Sequence, residues 1–253
     1  MLRRTRKRGV KLKQYTDITI MLDRSGSMES IKKTMESALD ELMIAHRKNP
    51  TTKFTLVQFD GENPYELVFE NRSATEVPEI KIYPRGSTPL IDCLCQTIDK
   101  TGQRLSRMNR EDRPDQVLMI VITDGQENTS REFKRSDVKN KIAKQRDGYN
   151  WQFMFLGADE NAFNEAVSWG IPQAHAIRWF DTSRIDPMIG NLVGKTISYT
   201  SNNAGARGMS VSLNYTADER KQFSEKLPTQ GTGDAILGSS TGSGSAKGTN
   251  GTS

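Results

Sequence analysis

Side chains that carry oxygen follow two apolar stretches of the sequence, and one more stands just before a predicted helix that lies between those stretches. The set is Asp23, Ser25, Ser27, Thr88 and Asp124. In an extended segment, residues two apart share a side, and Gly26 would let the loop that carries the two serines curl around an ion. A set made only of carboxylate and hydroxyl oxygens suits a hard cation such as Mg²⁺ or Mn²⁺ and argues against zinc or copper. We therefore interpret these five residues as a candidate metal site.

The elements that must position this set follow from the hydrophobic pattern. Strands are predicted at 17–22, 53–59, 66–69, 116–123, 151–156 and 175–178. Helices are predicted at 30–48, 90–108, 132–146, 160–169, 185–199 and 217–226. Strands that alternate with helices indicate parallel pairing with helices on both faces, and the turn at 60–64 indicates one hairpin. Open sheets of this kind bind ligands at the carboxyl ends of their strands, where the five residues lie.

The sequence resembles the von Willebrand factor type A family over roughly residues 15–200. The resemblance rests on Asp23-X-Ser25-X-Ser27, on Thr88 within Gly-Ser-Thr-Pro-Leu, and on Asp124 within Ile-Thr-Asp-Gly. It implies an α/β fold with a doubly wound, mostly parallel six-stranded sheet, one antiparallel edge strand and helices on both faces. It also implies an intact metal-ion-dependent adhesion site. In such a site Ser25, Ser27 and Thr88 bind the metal directly, and Asp23 and Asp124 bind it through water or support its ligands.

A binding module, and not an enzyme, is what the resemblance implies. If only neutral hydroxyls contact the cation, much of its charge stays uncompensated, and an Asp or Glu carboxylate of a partner protein can complete the shell. The resemblance to small intracellular relatives implies a bacterial or phage-encoded single-domain form that assists assembly or remodelling of a larger complex, in some cases beside an AAA-type ATPase. The alternative is a structural or assembly protein, virion-associated if phage-encoded, that uses the fold without the metal.

Hydrolytic chemistry is less well supported by the residues. A serine nucleophile needs a base, and the two histidines, His46 and His175, lie in no catalytic motif. A Mg²⁺-dependent phosphate-ester hydrolase with Asp23 as nucleophile is the enzymatic alternative, although that motif would have Asp in place of Ser25. The stretch 190–196 resembles a phosphate-binding loop, but it has three residues between its glycines where four are needed and lies within a predicted helix.

The net charge of +5 is concentrated at the N-terminus. Residues 1–13 hold seven Lys or Arg and no acid, and the remaining residues hold 29 basic against 31 acidic side chains. Such an arm can bind nucleic acid or an anionic membrane surface, or serve only as a solvated tail, and the sequence leaves both interpretations open. The candidate contact residues are Arg3, Arg4, Arg6, Lys7 and Arg8.

Four segments are predicted along the chain. They are a basic flexible arm (1–14), the type A domain (15–200), a C-terminal extension with a short helix (201–228) and a Gly/Ser/Thr-rich disordered tail (229–253). Thr216 and Glu219 form a capping box for the short helix. We expect Cys93 and Cys95 in the core. No apolar run approaches the roughly 18 residues of a membrane span, and 18–22 is too short for a signal peptide, so we expect a cytoplasmic or virion-associated protein.

Overall fold

The computed structural model describes residues 15–179, 181–201 and 213–225, which form six β-strands and six α-helices. The strands are β1 (Thr16–Asp23), β2 (Thr52–Phe59), β3 (Glu66–Ser73), β4 (Gln116–Thr123), β5 (Gln152–Gly157) and β6 (Ala176–Arg178). The helices are α1 (Lys32–His46), α2 (Leu90–Arg107), α3 (Arg135–Tyr149), α4 (Glu160–Ser168), α5 (Ile185–Ser201) and α6 (Ala217–Ser224). The predicted arm (1–14), the predicted tail (229–253) and residues 202–212 and 226–228 of the predicted extension lie outside the described residues. None of the described helices is both long and apolar enough to cross a membrane.

One sheet contains all six strands in the order β3-β2-β1-β4-β5-β6. Every neighbouring pair is parallel except β2 and β3, which form the predicted antiparallel hairpin at one edge. The chain builds the sheet outward from β1 in one direction and from β4 in the other. The point at which the order reverses therefore lies between β1 and β4, where open α/β sheets form their ligand crevice. The predicted fold class is confirmed.

Two apolar layers bury the sheet. Ile18, Ile20 and Leu22 of β1 belong to a core shared with α1 and α5, whereas Met21 belongs to a core shared with α2, α3 and α4. This alternation is what a strand covered on both faces requires, since successive side chains point to opposite sides. Both cysteines are buried in the second core, which confirms their predicted place.

Helix α3 begins and ends later than the predicted span of 132–146. The carboxylate of Asp92 accepts hydrogen bonds from the backbone N–H groups of residues 131–133, at 2.7–3.2 Å, and holds them in a loop. The helix starts only where the Asp137 carboxylate accepts the N–H of Lys134 at 2.8 Å, and Asn150 ends it in a left-handed conformation. Strand β3 likewise continues past its predicted end at residue 69 because it keeps pairing with β2 as far as Ser73.

The C-terminal segment 213–225 packs against the domain beside β6 and α5. Leu213, Tyr215 and Phe223 are buried, and the predicted capping box at the start of α6 is confirmed. Lys195 lies within α5, where its ammonium contacts the Glu219 carboxylate at 3.1 Å and the Asn214 carbonyl at 2.8 Å. The loop-like stretch at 190–196 is therefore helix interior that anchors this segment, and not a phosphate-binding turn.

Candidate metal centre

The segments that follow β1 and β4 meet at the switch point of the sheet. Asp23 ends β1 and its carboxylate accepts the Ser25 N–H at 2.7 Å. The Ser25 and Ser27 hydroxyl oxygens are 3.1 Å apart, and Ser27 donates to Asp124 Oδ1 at 2.7 Å, just beyond β4. Four of the five predicted residues are thus joined in one chain of hydrogen bonds.

Thr88 faces the same small space, which lies beside Gly125. A Cβ atom added at Gly125 would lie 3.1 Å from Thr88 Oγ1, 3.8 Å from Ser27 Oγ and 3.9 Å from Asp23 Oδ2. Oxygens from the end of β1 and from the loop before α2 therefore surround one point beside Gly125, which directly follows Asp124, and a side chain on Gly125 would fill that point. All five predicted site residues are brought together.

The distance between the two serine oxygens fits octahedral coordination. Mg²⁺ ligands lie 2.0–2.1 Å from the ion, so adjacent ligands of an octahedron are about 3.0 Å apart. The observed Ser25 Oγ–Ser27 Oγ distance is 3.1 Å. Only Asp23 and Asp124 contribute carboxylates, and the described residues contain no cluster of three or more His, Cys, Asp or Glu side chains suited to a metal. The residues present fit a hard cation held largely by hydroxyls.

The loops that carry these oxygens are tied to one another through their backbones. The N–H of Gly26 donates to the Gly86 carbonyl at 3.1 Å, which joins the serine loop to the loop before α2. The Thr88 N–H donates to Asn128 Oδ1 at 2.9 Å, and the Asn128 N–H donates back to the Thr88 carbonyl at 3.2 Å. Sequence reasoning missed Asn128, because nothing local shows that an Asn after β4 will bind a residue 40 positions earlier.

The first turn of helix α2 is bound by the carboxylate of Glu127, which the sequence analysis also missed. Glu127 accepts the Ile91 N–H at 2.8 Å and the N–H groups of Thr129 and Ser130 at 2.9 and 2.8 Å. It thereby satisfies a free backbone donor in the first turn of α2 and folds the loop after Asp124 against that turn. This contact helps fix Thr88, which is separated from the helix only by Pro89.

Burial without a nearby positive charge dominates the electrostatics of Asp23. Its side chain is fully buried, and both carboxylate oxygens accept hydrogen bonds, Oδ2 from the Thr123 hydroxyl at 2.6 Å. Burial raises the pKa of Asp23 to about 6 even though the hydrogen bonds from Thr123 and Ser25 oppose the rise. Burial also raises the pKa of Asp124, against the hydrogen bond from Ser27. Burial makes both carboxyls costly to ionise, and a nearby cation would stabilise their ionised forms.

Arg24 does not supply that positive charge, although it follows Asp23 in the sequence. Its guanidinium contacts Asp60 and Glu66, each at 2.5 Å. Asp60 is also fully buried, but hydrogen bonds from the Asn63 N–H, Arg85, the Glu62 N–H and Arg24 outweigh its burial and lower its pKa. The buried Asp60 carboxylate is therefore balanced by two arginines, whereas the buried Asp23 carboxylate accepts hydrogen bonds from neutral groups.

Neither histidine lies at this edge of the sheet. His46 ends α1, at the opposite edge, and contacts the Thr196 hydroxyl at 3.0 Å. His175 directly precedes β6 and its Nδ1 lies 3.1 Å from the Phe153 carbonyl. Both side chains are buried structural groups, so neither can serve as a base for Ser25 or Ser27.

A family model for the von Willebrand factor type A domain matches residues 17–169, which is more than half of the chain and includes all five site residues. The chain belongs to the von Willebrand factor type A domain family. Domains of this type often mediate metal-dependent protein–protein interaction. A search of curated proteins finds no match to this von Willebrand factor type A chain.

Solved structures share the fold at low sequence identity. The pilus adhesin SpaC from Lactobacillus rhamnosus GG is 12% identical, with a TM-score of 0.56 over 73% of this chain and 31% of that chain. The ArnB paralog VWA2 from Sulfolobus acidocaldarius is 17% identical, with a TM-score of 0.50 over 72% and 45%. Proximal thread matrix protein 1 from the mussel byssus, in a structure with a zinc occupied MIDAS motif, is 16% identical, with a TM-score of 0.50 over 71% and 45%. This von Willebrand factor type A chain spans less than half the length of each.

Proposed function

We propose that this von Willebrand factor type A domain is a divalent-cation-dependent protein-binding module. Ser25, Ser27 and Thr88 bind Mg²⁺ or Mn²⁺ directly through their hydroxyls, and Asp23 and Asp124 support the ion through water. The observation that carries this proposal is the convergence of oxygens from the end of β1 and from Thr88 on the space beside Gly125, with Asp124 bound to Ser27 at 2.7 Å. The bound cation would supply a Lewis-acidic position for an outside oxygen ligand.

The two carboxylates prepare the hydroxyls for this role. Ser27 donates its proton to Asp124 at 2.7 Å, so its lone pairs are free to face a cation. Asp23 accepts the Ser25 N–H at 2.7 Å and thereby fixes the backbone of the serine loop. Because the direct ligands in this proposal are neutral, the ion keeps much of its charge and can bind a carboxylate from a partner protein.

The proposed partner is a protein that presents an Asp or Glu side chain, within the assembly or remodelling of a larger complex. The resemblance to small bacterial and phage-encoded relatives supports this context, in the cytoplasm or on a virion, with an AAA-type ATPase as one candidate partner. The basic residues of the N-terminal arm would add a nonspecific contact with nucleic acid or another anionic surface.

An affinity capture in Mg²⁺ and in EDTA, read by mass spectrometry, tests this proposal. The wild-type chain should retain its partner in Mg²⁺ and release it in EDTA, whereas Thr88→Ala should fail in both. The control is Thr97→Ala, which removes a buried threonine hydroxyl from helix α2, two turns beyond the loop that carries Thr88. Capture that persists in EDTA and in Thr88→Ala would support the metal-independent structural role instead. Turnover of a phosphomonoester with Mg²⁺ that is lost in Asp23→Asn would support the hydrolase.

A further inference from the structure

A cluster of charged side chains joins the serine loop to the loop before Thr88, and we call it the Arg24–Asp60–Arg85 cluster. Arg24 is 4% exposed and Asp60 is not exposed at all. Arg24 Nε donates to Asp60 Oδ2 at 2.5 Å, and Arg24 Nη2 donates to Glu66 at the start of β3, also at 2.5 Å. Arg24 lies between Asp23 and Ser25 in the sequence, but its guanidinium is held by two carboxylates that are not among the five site residues.

Asp60 connects the two loops that carry the direct ligands. Arg85, which lies on the loop leading to Thr88, donates from Nε to the same Asp60 oxygen at 3.0 Å. The Arg85 N–H also donates to the Arg24 carbonyl at 2.9 Å. Asp60 Oδ2 thus accepts hydrogen bonds from an arginine of the serine loop and from an arginine of the loop that leads to Thr88.

The turn that carries Asp60 is packed tightly against these loops. The other Asp60 oxygen accepts the N–H groups of Glu62 and Asn63 at 2.7 and 2.9 Å. A Cβ atom on Gly61 would lie 2.2 Å from Ser87 Oγ and 2.8 Å from the Ser87 backbone nitrogen, so only glycine fits there. Asp60 is consequently fixed next to the loop that ends in Thr88.

Two arginines beside a cation site would repel a divalent ion if nothing balanced them. Glu66 contacts Arg24 at 2.5 Å and Glu62 contacts Arg85 at 3.3 Å, but the side chains of these two glutamates are 42% and 65% exposed, so water screens their charges more than that of the fully buried Asp60. The repulsion between charges grows as water is excluded, and Arg24 is almost completely buried. We propose that Asp60 balances the charge of Arg24 and Arg85 and thereby sets the affinity of the neighbouring site for its divalent cation. This inference rests on the proposed function, because it concerns the same site.

The test is the Mg²⁺ affinity of charge variants, measured by isothermal titration calorimetry. Asp60→Asn keeps one oxygen that can accept the backbone N–H groups of Glu62 and Asn63. It replaces the oxygen that both arginines share with an amide nitrogen, so it removes the charge together with those two contacts, and Mg²⁺ affinity should fall about tenfold at low ionic strength. The loss should shrink in about 0.5 M salt, because screening weakens the repulsion. Removing the unbalanced charge with Arg24→Gln in the Asp60→Asn background should bring the affinity back to within about threefold of wild type.

Two further variants separate charge balance from a structural role. Asp17→Asn is the matched control, because Asp17 is also fully buried and bound by an arginine, Arg104, at 2.7 Å, but lies at the other end of β1. It should leave Mg²⁺ affinity unchanged even if it lowers stability. Arg85→Gln, at a half-exposed position, should bind Mg²⁺ a few times more tightly than wild type, whereas a purely structural role of the cluster predicts weaker binding.

Several results would overturn the inference. They are an unchanged affinity in Asp60→Asn, a double variant weaker than Asp60→Asn, a comparable loss in Asp17→Asn, or weaker binding in Arg85→Gln. If Asp60→Asn does not fold, Arg85→Gln decides the question by the sign of its effect. A wild-type chain that binds no Mg²⁺ would refute the proposed function itself, which is distinguishable from failure of the charge balance alone.

Discussion

Acidification should destabilise the domain through His46, which joins α1 to α5. The imidazole is fully buried, packs edge-on against Phe54 at 5.1 Å and lies 3.0 Å from the Thr196 hydroxyl. That hydroxyl donates to the carbonyl of Leu192, so it accepts the His46 Nε2 proton, and the buried His46 Nδ1 has no hydrogen-bond partner within 15–179, 181–201 and 213–225. Protonation would add a charge and a buried N–H donor at Nδ1 in an apolar layer.

The magnitude follows from the difference between the folded and unfolded pKa of His46. Burial lowers the pKa of His46 from 6.5 to about 4. Since the unfolded chain binds the proton more readily, stability is unaffected above pH 6.5, falls as the pH drops from 6.5 to about 4, and then levels off. At 1.36 kcal/mol per pKa unit, the total loss is about 3 kcal/mol, of which about 2.5 kcal/mol has occurred by pH 4.5.

Urea unfolding at pH 7 and pH 4.5, in EDTA, measures this effect in the wild type and in His46→Gln. The free energy of unfolding should fall between the two pH values by about 2 to 3 kcal/mol more in the wild type than in the variant. The pKa of His175 is also lowered by burial, but that residue is common to both proteins and cancels in the comparison. An equal pH dependence in the two proteins would refute the assignment of His46 as a buried neutral imidazole.

Two other predictions concern the site and the C-terminal segment. Gly125→Ala should abolish Mg²⁺ binding in calorimetry, because its methyl group would enter the space that Thr88 faces, 3.1 Å from the hydroxyl oxygen. The control Gly148→Ala, on open helix surface, should bind Mg²⁺ normally. Normal binding by Gly125→Ala would contradict the proposed position of the ion beside Gly125. Tyr215→Phe should leave stability unchanged or raise it by up to about 1 kcal/mol, because the buried Tyr215 hydroxyl has no hydrogen-bond partner among the described residues. Tyr215→Ala should lower the free energy of unfolding by about 3 kcal/mol or more, and a harmless Tyr215→Ala would show that segment 213–225 does not support the domain.

The sheet could be predicted from sequence because its strands carry strong local signals. The apolar run Gln116–Thr123 and the alternation of strands with helices indicate a buried parallel sheet without knowledge of any tertiary contact. Four of the site residues could be placed together for a related reason, since the ends of β1 and β4 meet at one edge of the sheet, whereas Thr88 was placed by the family resemblance. Element type and topology are therefore the part of this fold that local patterning determines.

What the sequence did not predict depends on contacts between distant residues. The start of α3 depends on Asp92, some 40 residues earlier, whose carboxylate holds residues 131–133 out of the helix. The direction of the Arg24 side chain depends on Asp60 and Glu66, which the sequence places in a turn and a strand. The docking of α6 depends on Lys195, which contacts Glu219, although the local sequence around Lys195 resembles a phosphate-binding loop. In each case a side chain binds a group that only the folded chain brings near.

Calorimetric titration of the metal-free chain with Mg²⁺ tests the central claim most directly, with Ser27→Ala and Ser30→Ala as a matched pair. Both serines are exposed and lie in the same turn, but only Ser27 donates to Asp124 at the site. Binding of one ion per wild-type chain, retained in Ser30→Ala and lost in Ser27→Ala, is the predicted result. No binding by the wild type, or equal binding by Ser27→Ala, would contradict the account.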